Sequence, residues 1–324
     1  MVVLCIAALQ FSAVFAGSYL DGTLFLPDVG DGFLEHYGVW AILASDPLLI
    51  IAAGLAYRRF LIAFETLPVS PKDAESAECS RLVEKHADFL NMAGRSRYVY
   101  FLLVATGILC WLNNLRQTVD PVETYGNDVF DSAQYYWGYF ANKLNLFSSW
   151  VVVYPLVGFL LVSMSVSTRQ ILQTVTGENR LKPNVLHPDG CYGMLNLGIL
   201  NATLLVPYLL SYSVIFALLM THEARYFSVS AALVGLTITM LIASFVTIGP
   251  ITGVGRVVRD QTYAALEEKS RTYNGNRKTL ENRFAFERMC FSTARASPYS
   301  KWLQTAVNGA RVIPVVLTAM KLFT

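Results

Sequence analysis

An aspartate inside an apolar stretch is the residue of this sequence best suited to do chemistry. Asp46 stands in Ser45-Asp46-Pro47, and the ten apolar or small residues from Leu48 to Tyr57 separate this triplet from Arg58. An ionisable group within a membrane span is costly, so it usually faces a bundle interior or a water-filled cavity and handles ions or protons. Pro47 leaves a backbone carbonyl one turn earlier unbonded, which adds a polar group nearby. The alternative is a structural aspartate that fixes helix packing, and both interpretations stay open.

Asparagines in other apolar stretches are the predicted polar neighbours of Asp46. Buried amides can hydrogen-bond across helices, so several of them could line one intramembrane polar site. The candidates are Asn113, Asn114, Asn196 and Asn201.

A second candidate is the run from His187 to Met194, which reads His-Pro-Asp-Gly-Cys-Tyr-Gly-Met. Pro188 and Gly190 predict a tight turn, and Asp189 is placed to cap the helix that follows. Histidine titrates near neutral pH, so His187 and Asp189 could relay a proton. They do not complete a zinc site, which needs three or four ligands, and a turn with a cap is the simpler interpretation.

This run resembles a His-Pro-Asp-x-x-Gly-Gly-Leu signature of uncharacterised bacterial multi-span membrane proteins. Four positions match the signature: His187, Pro188, Asp189 and Gly193. Tyr192 and Met194 depart from it. The resemblance covers a short part of the chain and implies no activity.

A third candidate is the glycine-rich segment from Gly249 to Gly255. Pro250 predicts a kink, and the spacing of Gly249 and Gly253 would allow two helices to approach closely. The functional version of this prediction is a hinge that bends during gating.

Signatures of other chemistry are absent from the sequence. There is no P-loop, G-x-G-x-x-G, H-E-x-x-H or G-x-S-x-G motif, and the five cysteines include no C-x-x-C pair. None of the four histidines lies in the middle of an apolar stretch, which argues against a bis-histidine haem. We therefore predict no catalytic residue, no metal, no cofactor and no nucleic-acid partner.

The composition identifies the elements that must position these residues. Of the 324 residues, 54% are hydrophobic and only 15% are charged, with a mean hydropathy of +0.43. Soluble domains carry about 25% charged residues, so the chain is predicted to be an all-α, polytopic membrane protein. Six stretches are long enough to cross a bilayer, which takes about 20 residues. They are 2–26, 39–57, 98–115, 147–168, 194–221 and 227–254.

The basic residues predict the orientation of these six spans. With a cytoplasmic N-terminus, the connections 58–97, 169–182 and 256–301 are cytoplasmic and hold 20 of the 25 Lys and Arg residues. Basic residues remain on the cytoplasmic side, so both termini are expected there, in the plasma or inner membrane.

Three units follow from this arrangement. Residues 1–258 form the transmembrane bundle, with a cytoplasmic helical insertion at 58–97, and residues 259–301 form a cytoplasmic helical hairpin. Residues 302–324 are apolar but contain Asn308, Arg311 and Pro314, so we expect a C-terminal helix that lies in the interface or re-enters the membrane.

The leading functional hypothesis is a homo-oligomeric ion channel, with Asp46 on the pathway and the segment 249–255 as its hinge. Its partners would be the lipid bilayer, further copies of the chain, and ions. One alternative is a membrane-embedded enzyme or lipid-handling protein that uses His187 and Asp189. Another is a non-catalytic subunit of a larger membrane complex.

Overall fold

The computed structural model describes residues 2–20, 22, 24, 25, 33, 34, 37–69, 96–119, 144–177, 180, 181, 187, 189 and 191–219, with isolated positions between 251 and 316. Within these ranges the chain is helical, and β-pairing is confined to one isolated bridge. The prediction of an all-α protein is confirmed for this part of the chain.

Five α-helices and one π-helical segment form the described bundle. They are α1 (Val2–Leu20), α2 (Tyr37–Glu65), α3 (Ser96–Val119), the π segment (Ser148–Val153), α4 (Tyr154–Gly177) and α5 (Leu195–Leu219). The π segment continues into α4 and is preceded by a helical turn, so one helix runs from Leu144 to Gly177.

Three helices are long and apolar enough to cross a membrane, namely Leu43–Glu65, Leu144–Gly177 and Leu195–Ser213. Two shorter apolar helices accompany them in the described residues, Ala7–Leu20 and Arg97–Leu112. These helices are compatible with the predicted helical membrane protein, and the number of six spans stays a prediction.

Helix α2 has one exposed apolar face and one buried face. Leu48, Ile51 and Leu55 recur at helical spacing and are 46%, 46% and 53% exposed. The opposite face buries Ala53 and Ala56, whose small side chains let a neighbouring helix approach closely. An exposed stripe of large apolar residues at this spacing is suited to contact with lipid tails.

The end of α2 differs from the predicted span, which stopped at Tyr57. The helix continues through Arg58 and Arg59 to Glu65, and both arginines are exposed. Phe60 and Phe64 extend the buried face that includes Ala56, so packing carries the helix past the charges. Residues 70–95 of the predicted insertion lie outside the described residues, as do most of 259–301 and of 302–324.

Helices α1 and α2 are antiparallel. Phe11 packs against Trp40, with ring centroids 5.5 Å apart, and Phe15 packs against Phe33 at 6.1 Å. Residues nearer the end of α1 therefore pack against residues nearer to, or just before, the start of α2. The hydrogen bond from Gln10 to Asp46 follows the same order.

The pair α3 and α4 is also antiparallel, since Tyr100 packs against Phe159 and Trp111 against Phe147. Between these contacts, a Cβ on Gly107 would overlap the backbone carbonyl oxygen of Trp150 in the π segment. Only glycine allows two helix backbones to approach this closely.

The ends of α2 and α4 lie at the same face of the bundle, because Val69 and Leu181 form an antiparallel bridge just beyond them. Helix α5 begins at that face, where the Asn196 side-chain amide donates to the Thr66 hydroxyl at 2.9 Å. α2 and α5 then pack along much of their lengths. The five described helices therefore alternate in direction along the chain.

Candidate intramembrane site

Asp46 lies in the first half of α2 and is only 1% exposed. Leu43 and Leu49, one turn before it and three residues after it, are also buried. Taking a carboxylate out of water is costly unless hydrogen bonds or a counter-charge compensate it. The contacts made by its two oxygen atoms therefore decide what this residue can do.

One carboxylate oxygen of Asp46 accepts two hydrogen bonds from other helices. The Gln10 side-chain amide of α1 donates to Oδ2 at 2.8 Å, and the Ser149 hydroxyl donates to the same oxygen at 2.7 Å. Gln10 uses its second N–H on the Ser148 hydroxyl, also at 2.8 Å. The carboxylate thus joins α1, α2 and the π segment at one level of the bundle.

The π segment explains why two consecutive serines reach this site. At its end the Tyr154 N–H donates to the Ser149 carbonyl, a spacing of five residues instead of the four of an α-helix. This widened turn lets neighbouring side chains share one face, and π-bulges are frequent at functional sites. Tyr154 also lies near Asp46, and its hydroxyl hydrogen-bonds Ser45.

Several polar atoms at this level have no hydrogen-bond partner among the described residues. They are Asp46 Oδ1, Gln10 Oε1, and Oδ1 and Nδ2 of Asn145. Asn145 is 2% exposed and precedes Ser149 by four residues, which puts the two on the same helix face. Its backbone carbonyl lies 3.0 Å from the Ser149 hydroxyl. Buried polar groups without partners are uncommon, and each requires an explanation.

Of the four predicted asparagine neighbours of Asp46, Asn196 and Asn201 have described side chains. Asn196 bonds Thr66 at the other end of α2, and Asn201 is buried in the second turn of α5. Because Thr66 is 20 residues beyond Asp46, helix rise alone separates the two levels by about 30 Å. The side chains of Asn113 and Asn114 lie outside the described residues.

The residues grouped around Asp46 were absent from the sequence prediction. They are Gln10, Asn145, Ser148 and Ser149. Gln10 and Asn145 are amides within or beside apolar stretches, as were the asparagines that we selected. Ser148 and Ser149 look unremarkable in sequence, because small hydroxyl residues are common in membrane helices. The π segment, which no sequence pattern indicated, holds Ser149 against the carboxylate and Ser148 against the Gln10 amide.

The turn from His187 to Met194 forms a closed cap on α5. The Asp189 carboxylate accepts hydrogen bonds from the backbone N–H groups of Cys191 at 2.8 Å, Gly193 at 3.1 Å and Leu195 at 3.2 Å. Desolvation by itself raises the pKa of Asp189, but these three N–H groups and His187 favour the carboxylate by more. The pKa of Asp189 therefore lies below its ordinary value.

His187 completes this turn from the outside. Its Nδ1 lies 2.9 Å from Asp189 Oδ1, and its ring packs over Gly193, whose φ of +86° favours glycine. The His187 side chain is 42% exposed. Among the described residues no three His, Cys, Asp or Glu side chains are grouped so as to hold a metal ion.

The predicted hinge is described only in part. Gly249 and Pro250 lie outside the described residues, whereas Gly253 is helical. A Cβ added to Gly253 would meet no described atom within 4 Å, so no close helix approach is seen at this glycine. The hinge therefore stays a prediction.

No protein-family model, no curated protein and no solved structure matches this chain. Function is therefore inferred from the chemistry of the residues themselves.

Proposed function

We propose that this protein moves a small cation, a proton or an alkali metal ion, across a membrane by way of Asp46. The observation that carries the proposal is a nearly fully buried carboxylate, bonded by side chains from two other helical segments, with one oxygen that has no partner among the described residues. Ionisable residues at such positions typically mark ion pathways or proton relays.

In this proposal the protein is a homo-oligomer, and the ion pathway runs between the helices of each protomer. A residue that lined an oligomer axis formed by α2 would be exposed on the surface of a single chain. Asp46 is instead buried among α1, α2 and the π segment of one chain. Its burial therefore supports a path between helices of the same protomer.

The proposal includes six membrane spans with both termini in the cytoplasm. The membrane is the plasma or inner membrane. The alternating directions of α1 to α5 support this arrangement, because each successive helix then returns across the bilayer. Gating from the cytoplasmic side through Gly249, Pro250 and Gly253, coupled to the hairpin 259–301, belongs to the same hypothesis.

Flux through reconstituted protein tests the proposal. We expect proteoliposomes containing the wild-type chain to pass protons or alkali cations down an imposed gradient, and Asp46→Asn to reduce the rate by at least about tenfold, because the substitution removes the charge at the buried site. Intravesicular pH and cation indicators measure the two kinds of flux separately.

Glu65→Gln is the matched control, since it removes a carboxylate from the exposed end of the same helix. Its flux should equal that of the wild type. Wild-type vesicles no leakier than empty ones, or a flux that Asp46→Asn leaves unchanged, would remove the proposal.

A second candidate function uses His187 and Asp189 at the face where α2 and α4 end. The contact of Nδ1 with Asp189 orients the ring and leaves Nε2 to act as a base towards a substrate at the membrane surface. A membrane-embedded enzyme or lipid-handling protein would change the lipid profile of cells that express it. This change should disappear with His187→Ala, and an unaltered profile in wild-type cells would exclude the candidate.

A further inference from the structure

We infer that the Asp46 site binds a monovalent alkali cation that has lost part of its water shell. This inference rests on the proposed function and specifies which cation that site would take. It concerns the oxygen atoms of Asp46, Gln10 and Asn145 that have no partner among the described residues.

The orientation of Gln10 is the first step. Both N–H groups of its amide are used, one on Asp46 Oδ2 and the other on Ser148. The amide oxygen is the remaining polar atom of this side chain, and it is buried and without a described partner. Burial of a carbonyl oxygen without a donor among the described residues is costly, and a metal cation would compensate that cost.

The second step is the carboxylate itself. Burial in an apolar bundle disfavours a bare negative charge, and the donors Gln10 and Ser149 both act on Oδ2. Oδ1 is left to a positive species. A metal cation bound to Oδ1 would balance its charge, and the buried amide oxygens of Gln10 and Asn145 are the further oxygen ligands available to such an ion.

The third step is the charge and type of the ion. The available ligands are one carboxylate, side-chain amide oxygens and hydroxyls, which are hard oxygen donors suited to alkali and alkaline-earth ions rather than to zinc or copper. Asp46 supplies a single negative charge, and this balances one monovalent cation. A calcium site typically uses more than one carboxylate.

Equilibrium binding of radioactive sodium to the purified full-length protein tests this inference. Scintillation proximity in detergent, with choline replacing sodium to hold the ionic strength constant, should give saturable binding of one ion per chain. Lithium or potassium should compete, and choline should not. Calcium at equal concentration should not displace the sodium.

Variants assign the binding to the Asp46 site. We expect Asp46→Asn to weaken sodium binding by on the order of 100-fold or more, because it removes the charged partner of a buried ion. Ser149→Ala should weaken it several-fold, since the carboxylate loses one of its two donors. Ser163→Ala is the matched control: Ser163 is a fully buried serine of the same helix whose hydroxyl has no described partner.

The outcomes separate this inference from the proposed function. Saturable sodium binding that depends on Asp46 but is accompanied by no flux would retain the site and remove the proposed function. Proton flux without sodium binding would do the reverse. Sodium binding that survives Asp46→Asn, or that calcium displaces equally well, would overturn the inference. If Asp46→Asn elutes as aggregate on gel filtration, a difference between Ser149→Ala and Ser163→Ala supports the inference, and equal binding by those two variants overturns it.

Discussion

Two aspartates of this chain serve different purposes, and their hydrogen-bond donors show the difference. Asp189 bonds backbone N–H groups of its own turn, together with His187. Asp46 bonds side chains of other helical segments, and one of its oxygens has no described partner. A carboxylate with local backbone donors stabilises a helix start. A carboxylate that joins separate helices can change its hydrogen bonds when a proton or a cation binds to it.

The role of Asp189 predicts a pH-dependent stability. Its pKa in the folded protein is lowered, so its contribution is present above the ordinary value of 3.8 and is lost as the pH falls through the lower folded value. We expect Asp189→Ala to lower the free energy of unfolding by about 0.5–2 kcal/mol at neutral pH, the usual cost of losing a cap. Denaturant titrations in detergent at several pH values measure it.

The difference in unfolding free energy between Asp189→Ala and the wild type should become smaller below about pH 4, because protonation removes the same interaction from the wild type. Asp189→Asn provides the comparison, since it can still cap the helix but does not titrate. A difference in unfolding free energy that stays constant from neutral pH to pH 3 would contradict this role of Asp189.

At the scale of helices, the close contact between α3 and the π segment lies beside the two serines of the site. Gly107 lets α3 approach the Trp150 carbonyl, and the two residues before Trp150 are Ser148 and Ser149. The sequence indicated the helices on both sides of this contact. It did not indicate the contact, because a glycine in a membrane span occurs for many reasons and a π segment has no sequence signature.

We expect Gly107→Ala to destabilise the protein by about 1–3 kcal/mol, since the methyl group meets backbone atoms that cannot rotate away. Gly54→Ala is the matched control, because a Cβ at Gly54 meets nothing within 4 Å and alanine favours a helix. Gly54→Ala should therefore be neutral or slightly stabilising. Thermal unfolding in detergent compares the two, and equal effects would show that the close approach is unimportant.

At the scale of the whole molecule, the direction of each helix fixes which helix ends meet at one face of the bundle. The bond between Thr66 and Asn196 and the bridge between Val69 and Leu181 bring the ends of α2 and α4 to the start of α5. This arrangement agrees with a chain that crosses the bilayer in alternate directions. The turn that contains Asp189 lies at the same face, about 30 Å of helix rise from Asp46.

Cross-linking tests this arrangement in the membrane. In a chain with its own cysteines replaced, Thr66→Cys combined with Asn196→Cys should be joined by a short bifunctional thiol reagent, because their side chains are in contact. Thr66→Cys combined with Ser213→Cys should not be joined, since Ser213 lies 17 residues further along α5. Mass spectrometry of the digested protein detects the link, and cross-linking of the second pair alone would contradict the arrangement.

The sequence by itself determined the class of the protein and its most conspicuous residue. A high apolar fraction and few charges require helices in a bilayer, and the scarcity of charge makes Asp46 stand out within an apolar stretch. Asp189 could likewise be predicted as a helix cap, because capping depends on residues within one turn. Such inferences succeed because composition, periodicity and capping are local properties of the chain.

Only the tertiary structure decided which side chains meet Asp46. Gln10 and Ser149 are separated from it by 36 and 103 residues, and both must lie at the same depth to bond one oxygen. That depth depends on the antiparallel packing of α1, on the close approach at Gly107 and on the widened π turn. Side-chain contacts between helices depend on all of these together, and no single stretch of sequence encodes them.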